Sequence, residues 1–187
     1  MKLILILLSI TTSAVATVPN GAYTLDFNIN MIGFSKSRET KIYDATDVIR
    51  KVVSSPEFKD EVLGHTYQGK RAFADSKGLS NSEIYKKIFE GAEKLTPEKN
   101  NTMDLDVELF TDLKSVTIGF TKTNSSRIWI NTKYFNSLDV ESVAANLMHE
   151  WLHKLGFTHD VSATVKRNFS VPYAVGRIVA RLGRKLN

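Results

Sequence analysis

The stretch from His149 to Asp160 reads HEWLHKLGFTHD, and it gives the strongest indication of fold and function in the chain. It holds three of the four histidines. On a helix, residues four apart lie one turn above each other, so His149 and His153 present their imidazoles to the same point. Gly156 can adopt the left-handed conformation that ends a helix, and the short segment after it returns His159 to that point. We therefore expect three nitrogen donors around one metal ion.

The donor set indicates the metal and the chemistry. Three neutral imidazoles with a fourth position left open are the ligands of a catalytic zinc ion, whereas a structural zinc is closed by four protein ligands. Imidazole suits Zn2+, although other divalent metals can occupy such a site. Glu150 directly follows the first ligand and is too close to it to coordinate beside both helical histidines. We expect it to act as general base, taking a proton from a metal-bound water and passing it to the leaving amine.

The extended motif is much stricter than its first half. A bare H-E-x-x-H is a modest signal because His and Glu are ordinary helix residues, but the added glycine and third histidine lower chance matches by roughly three orders of magnitude. The five motif positions resemble the H-E-x-x-H-x-x-G-x-x-H signature of the metzincin clan of zinc endopeptidases. They are His149, Glu150, His153, Gly156 and His159. The resemblance implies a zinc metalloendopeptidase that acts on a protein or peptide substrate.

The remaining patterns predict an α+β fold. Apolar periodicities and turn residues predict strands at Ala22–Ile29, Leu105–Phe110, Val116–Thr121 and Arg127–Asn131. Helices are predicted after Asp44, within 58–63, from Ser80 to Leu95, from Asp139 to Gly156, and from Ser170 to Leu182. The resemblance implies a metzincin-like fold with a small mixed sheet, an active-site helix and a C-terminal helix. In that layout Val116–Thr121 is the antiparallel edge strand that binds an extended substrate.

One feature of the clan has no counterpart in the sequence. Metzincins carry a methionine in a turn beneath the metal, and all four methionines here precede His159. The segment from Ser170 to Tyr173 lies where that turn is expected, and Tyr173 resembles the metal-proximal tyrosine of astacins. The resemblance makes Tyr173 a candidate metal ligand or oxyanion donor. The alternative is a tyrosine that packs at the start of the last helix. Of the weaker candidates, His65 has no partner at metal spacing, and Trp151 is expected in the core.

Residues 1–16 have the pattern of a secretory signal peptide. Lys2 is followed by an apolar stretch, and Ala14 to Ala16 give a small-residue cleavage pattern. We expect cleavage near Ala16, a single metalloprotease domain at 17–187, and a secreted or periplasmic protein without stable membrane insertion. The chain has no cysteine, so a disulfide framework and a thiol nucleophile are excluded.

The net charge and composition limit which other functions are expected. The net charge of +5 is too small to indicate nucleic-acid or membrane binding, and we expect neither, nor a stable oligomer. Basic residues on the last helix are interpreted as a solvated face. Two alternatives stay open: a secreted binding or adhesion module with a structural metal, and a zinc hydrolase with a non-peptide substrate. Glu150 argues against the binding module, because a structural histidine site needs no adjacent base.

Overall fold

The computed structural model describes residues 23–186, so the predicted signal peptide lies outside the described residues. Four strands and seven helices form this part of the chain. The strands are β1 (Asp26–Ile32), β2 (Thr102–Phe110), β3 (Gly119–Thr121) and β4 (Arg127–Asn131). The helices are α1 (Lys36–Val53), α2 (Pro56–Gly64), α3 (Asn81–Glu90), α4 (Thr132–Phe135), α5 (Val140–Lys154), α6 (Val165–Asn168) and α7 (Val171–Gly183). Within this region no helix combines the length and apolar content that a bilayer crossing needs.

The four strands form one small mixed sheet in the order β1-β2-β4-β3. β2 pairs in parallel with both β1 and β4, whereas β3 runs antiparallel to β4 at the edge of the sheet. The α+β class and the small mixed sheet are confirmed. The antiparallel direction of the edge strand is confirmed as well.

Strand β2 shows why the sheet has this register. Met103, Leu105 and Val107 alternate along one face and are fully buried in the core. On the opposite face, the Arg127 guanidinium donates to the Glu108 carboxylate at 2.7 Å and to Asp106 at 3.3 Å. A slip of one residue would expose the apolar set and bury the charged set, so the pairing is strongly specified.

Helix α5 lies against α1 and α7 and places the histidine motif at the surface of the core. One stripe of this helix is buried: Val143, Ala144, Leu147, Met148, Trp151 and Leu152. Trp151 is fully buried, as predicted, and its indole nitrogen donates to Glu93 at 2.7 Å. Because the stripe faces inward, the adjacent face that carries the first two histidines is directed toward a cleft.

Two helix boundaries differ from those predicted. Helix α1 begins at Lys36, nine residues before the expected first residue, Ala45. The added turns carry one fully buried apolar side chain, Ile42, which is too few to give a periodic signal. Helix α3 has the predicted capping box between Ser80 and Glu83 but ends at Glu90. Gly91 is left-handed there, with φ of 67°, and a Cβ on it would lie 2.6 Å from the carbonyl oxygen of Thr102. Only glycine fits that close approach.

Two strands are also displaced from their predicted positions. The first lies at Asp26–Ile32 rather than Ala22–Ile29. The edge strand contains only Gly119–Thr121 of the predicted Val116–Thr121. The reason is that the Thr117 backbone bonds to side chains: its N–H donates to the Ser115 hydroxyl and its carbonyl accepts from Asn131. Those groups are then not available for a strand ladder.

Candidate metal centre

Helix α5 brings the first two histidines together. Its N-terminus is capped by Asp139, whose carboxylate accepts the Ser142 N–H at 2.7 Å. Uninterrupted helix then runs to Lys154, so His149 and His153 share one face. Their Nε2 atoms are 3.3 Å apart.

The turn at Gly156 returns the third histidine to this point. Gly156 has φ of 101°, and its N–H donates to the backbone carbonyl of His153. The N–H of Phe157 donates to the backbone carbonyl of Leu152. This pair of hydrogen bonds is a Schellman motif, which satisfies carbonyls left open at the helix end. The chain reverses, and the Nε2 atom of His159 lies 3.2 Å from that of His149.

Each of the three imidazoles is oriented by a backbone carbonyl on its other side. The pairs are His149 with Pro172, His153 with Phe157 and His159 with Asp160, the last two at 2.8 Å. A carbonyl only accepts, so Nδ1 is the protonated nitrogen of His153 and of His159, and their Nε2 atoms offer lone pairs. Hydrogen bonds of this kind fix the tautomer and ring orientation of metal-binding histidines.

The donor spacing fits a tetrahedral metal ion. Three potential ligand atoms from these histidines lie within 4.8 Å of one another. For metal–nitrogen bonds of about 2.0–2.1 Å, tetrahedral geometry places the nitrogens about 3.3–3.4 Å apart. The spacings to His149, 3.2 and 3.3 Å, agree with this. Converging lone pairs repel one another unless a cation lies between them, so the triad can hold a metal ion.

Two of the three histidines, His149 and His153, are held in the neutral form that binds metal. Burial lowers the pKa of His149 to about 3 and that of His153 to about 4, and the neighbouring imidazoles reinforce both shifts. Both side chains are therefore neutral at physiological pH. Protons compete with a metal for these nitrogens only in acid.

The side chain of Glu150 is buried, and its carboxylate has no partner among the described residues. Its side chain is 4% exposed and lines the cleft beside the histidines. Within residues 23–186 its carboxylate has no hydrogen bond or ion pair, and burial raises its pKa to about 8. A buried carboxylate with a raised pKa can both accept and release a proton near neutral pH, as a general acid–base group must.

The opposite shifts predict a characteristic pH dependence for the metal-free protein. His149 and His153 have lowered pKa values when folded, so the unfolded chain binds more protons below pH 6.5 and the free energy of unfolding falls toward pH 4. Glu150 has a raised pKa when folded, so the stability that its protonated form contributes to the folded protein is lost as the pH rises from 4.5 to about 8. Glu150→Gln should remove that alkaline loss, on the order of a few kcal/mol, in urea unfolding with chelator present. If the free energy of unfolding changes with pH in the same way in wild type and variant between pH 5 and 8, this assignment is wrong.

Tyr173 lies directly beside the triad. Its ring centroid is 4.6 Å from that of His149 and 4.7 Å from that of His159, with both pairs edge to face. The guanidinium of Arg167 covers the ring at 4.4 Å. The carbonyl of Pro172, one residue earlier, orients His149. The segment from Ser170 to Tyr173, where a metzincin methionine turn was expected, therefore contacts the histidines through Pro172 and Tyr173.

A cleft of about 980 Å³ opens in front of the triad. One wall is helix α5 and another is the edge strand β3, whose outer edge has no neighbouring strand in the described sheet. Four exposed apolar side chains line it: Leu95, Val116, Ile118 and Val161. An open groove with an unpaired strand edge and an apolar rim can take up an extended chain.

A buried ion pair that the sequence pattern did not predict lies behind the motif. Lys154 is 4% exposed and its ammonium lies 3.0 Å from the Glu93 carboxylate, which also accepts from Trp151. The ammonium donates to the carbonyl of Asp104 at 2.6 Å. Burial raises the pKa of Glu93, and Lys154 opposes that shift. The position of Lys154 three residues after Trp151, on the apolar stripe, was a signal that a buried partner exists.

His65 lies apart from the triad, as predicted. Its ring stacks on Phe73 at 4.0 Å, and it belongs to none of the potential metal-binding groups among the described residues.

Comparison with known proteins adds no identification. No protein-family model, curated protein or solved structure matches this chain.

Proposed function

We propose that this protein is a zinc-dependent endopeptidase of metzincin type. The observation that supports it best is the convergence of three Nε2 atoms beside the buried carboxylate of Glu150, which has no partner within residues 23–186. His149, His153 and His159 would hold the ion. A bound zinc ion polarises the scissile carbonyl and lowers the pKa of water that it binds to about 7.

Glu150 supplies the proton transfers. It takes a proton from the attacking water and delivers it to the amine that leaves, so it returns to its starting state after each turnover. The surroundings suit this role, because burial disfavours the ionised carboxylate and so makes it a stronger base than one in water. No covalent intermediate is needed.

The edge strand supports a peptide as the substrate. An extended peptide can add to the free edge of β3 through main-chain hydrogen bonds, while alternate side chains point into the cleft. Gly119, on that strand, leaves room for Asn146 of α5, whose amide oxygen would lie 2.7 Å from a Cβ there. A strand edge that runs along the cleft favours a peptide over a small non-peptide substrate.

A binding module with a structural metal is the weaker alternative. Desolvating a carboxylate without a partner costs stability, and a purely structural site gains nothing in return. The pattern of residues 1–16 supports action outside the cytoplasm, as a secreted or periplasmic enzyme.

The direct test is cleavage of a peptide library by the purified, zinc-loaded protein, with products identified by mass spectrometry. We expect internal cleavage that stops when a chelator removes the metal and returns when zinc is restored. Stoichiometric zinc with no cleavage of any library peptide would favour the binding module.

Tyr173→Phe separates the two roles of the tyrosine. If the hydroxyl donates a hydrogen bond to the developing oxyanion, its loss should lower kcat by about 10²–10³. The ring and its contacts with both histidines remain, so zinc content should not change. The measurement is kcat on the best library peptide together with zinc analysis. An unchanged kcat would leave Tyr173 with a packing role alone.

A further inference from the structure

The charged residues of the cleft are unevenly balanced. Five cationic side chains line it: Lys94, Lys122, Lys154, Arg167 and Arg177. The only carboxylates among the described residues that line it are Glu93 and Glu150. Glu93 is already paired with Lys154 inside the protein, and Glu150 carries the proposed proton transfers.

Four of these cations lack a carboxylate partner within residues 23–186. Lys122 lies over the ring of Trp129, and Arg167 lies over the ring of Tyr173. The hydrogen bonds of Arg167 and Arg177 go to backbone carbonyls, which leave the positive charge unneutralised. Elsewhere on the surface similar side chains are paired, as Lys51 is with Asp47 at 2.7 Å.

These four cations come from four different segments around the cleft. Lys94 packs at the Gly156 turn, where its Cε would be 3.2 Å from a Cβ on that glycine. Lys122 directly follows the edge strand. Arg167, on α6, covers the ring of Tyr173, and Arg177 follows Tyr173 by about one turn on α7. A peptide bound along β3 would therefore meet positive charge at more than one position.

We propose that the substrates are acidic peptides, with aspartate or glutamate near the scissile bond. The inference rests on the proposed endopeptidase function and names its substrate class. A cleft lined by one sign of charge concentrates ligands of the opposite sign and disfavours ligands of its own sign. Cationic peptides are correspondingly poor substrates.

The test compares peptides that differ only in charge. Starting from the best library peptide, glutamate and glutamine are exchanged at each position flanking the cleaved bond, and kcat/KM is measured for each pair. We expect a preference for glutamate of about 2- to 5-fold at each responsive position, the range typical of partly exposed charge pairs. The preference should shrink as salt rises from about 0.05 to 0.5 M, because screening shortens the range of the attraction.

Substitutions in the cleft test whether its lysines cause the preference for glutamate peptides. In Lys94→Gln/Lys122→Gln the ratio of glutamate to glutamine kcat/KM should fall toward 1. The matched control is Lys77→Gln, an exposed lysine outside the cleft, which should keep the wild-type ratio. Circular dichroism checks that both variants fold.

A binding measurement separates this proposal from the proposed function. Zinc-loaded Glu150→Gln protein is titrated against a short fluorescein-labelled peptide with a glutamate on each side of its central bond, and against its glutamine counterpart. Tighter binding of the glutamate peptide supports the charge preference even if no peptide is cleaved, in which case only the endopeptidase function fails. Equal binding and equal kcat/KM for both peptides would overturn the acidic preference and leave the endopeptidase intact.

Discussion

Glu150→Gln is expected to abolish peptide hydrolysis while the protein stays folded and retains its zinc. The amide has the same shape as the carboxylate but cannot accept the proton of the attacking water, and a positioned general base contributes typically about 10²–10⁴ in rate. The substitution also leaves all three imidazoles and their carbonyl partners unchanged. The measurement is kcat/KM on the best library peptide, with zinc per chain determined by elemental analysis.

A second glutamate provides the control for this variant. Glu98→Gln changes an exposed carboxylate outside the cleft and should keep wild-type activity. Loss of zinc from Glu150→Gln with a normal circular dichroism spectrum would show that the carboxylate is a ligand rather than the base. Full activity in Glu150→Gln would require another base.

The second large effect is the loss of metal when a histidine of the triad is removed. The wild-type protein should bind about one zinc per chain. Zinc affinity should fall in each of three variants: His149→Ala, His153→Ala and His159→Ala. Each loss should exceed the roughly 10–100-fold that follows when a residue hydrogen-bonded to a metal ligand is removed, because here the ligand itself is lost. Two nitrogens cannot hold the ion in the tetrahedral geometry that three provide. Competition with a zinc-binding dye gives the affinities.

His65→Ala is the matched control, because His65 is the fourth histidine and lies outside the triad. It should retain one zinc per chain. Zinc retained at full stoichiometry by the variant lacking all three triad histidines would place the metal elsewhere in the protein.

Local spacing was sufficient to predict that the three histidines converge. The interval between His149 and His153 equals one helical turn, and Gly156 supplies the left-handed residue of the reversal, so both features depend on backbone geometry within a few residues. The same holds for the capping box at Ser80 and for the alternation of β2. In these cases the interacting groups are neighbours along the chain.

Element lengths were less predictable, because they depend on contacts between distant segments. Helix α3 stops at Gly91 where the chain passes close to Thr102 of β2, so Leu95 leaves the helix and lies at the rim of the cleft. Helix α1 extends to Lys36 through residues that give little apolar signal. Periodicity detects the buried stripe of a helix but not its polar turns.

The sequence by itself determined the three histidines, the adjacent glutamate and the α+β class, since each of these follows from residue type and short-range spacing. Only the tertiary structure decided the surroundings of the site. It brought the carbonyl of Pro172 to His149, buried Glu150 with no partner among the described residues, and paired Lys154 with Glu93. These features arise where α5, α7 and the segment after α3 pack together. Burial, which shifts the pKa values, exists only after that packing, and so does the grouping of cationic side chains around the cleft.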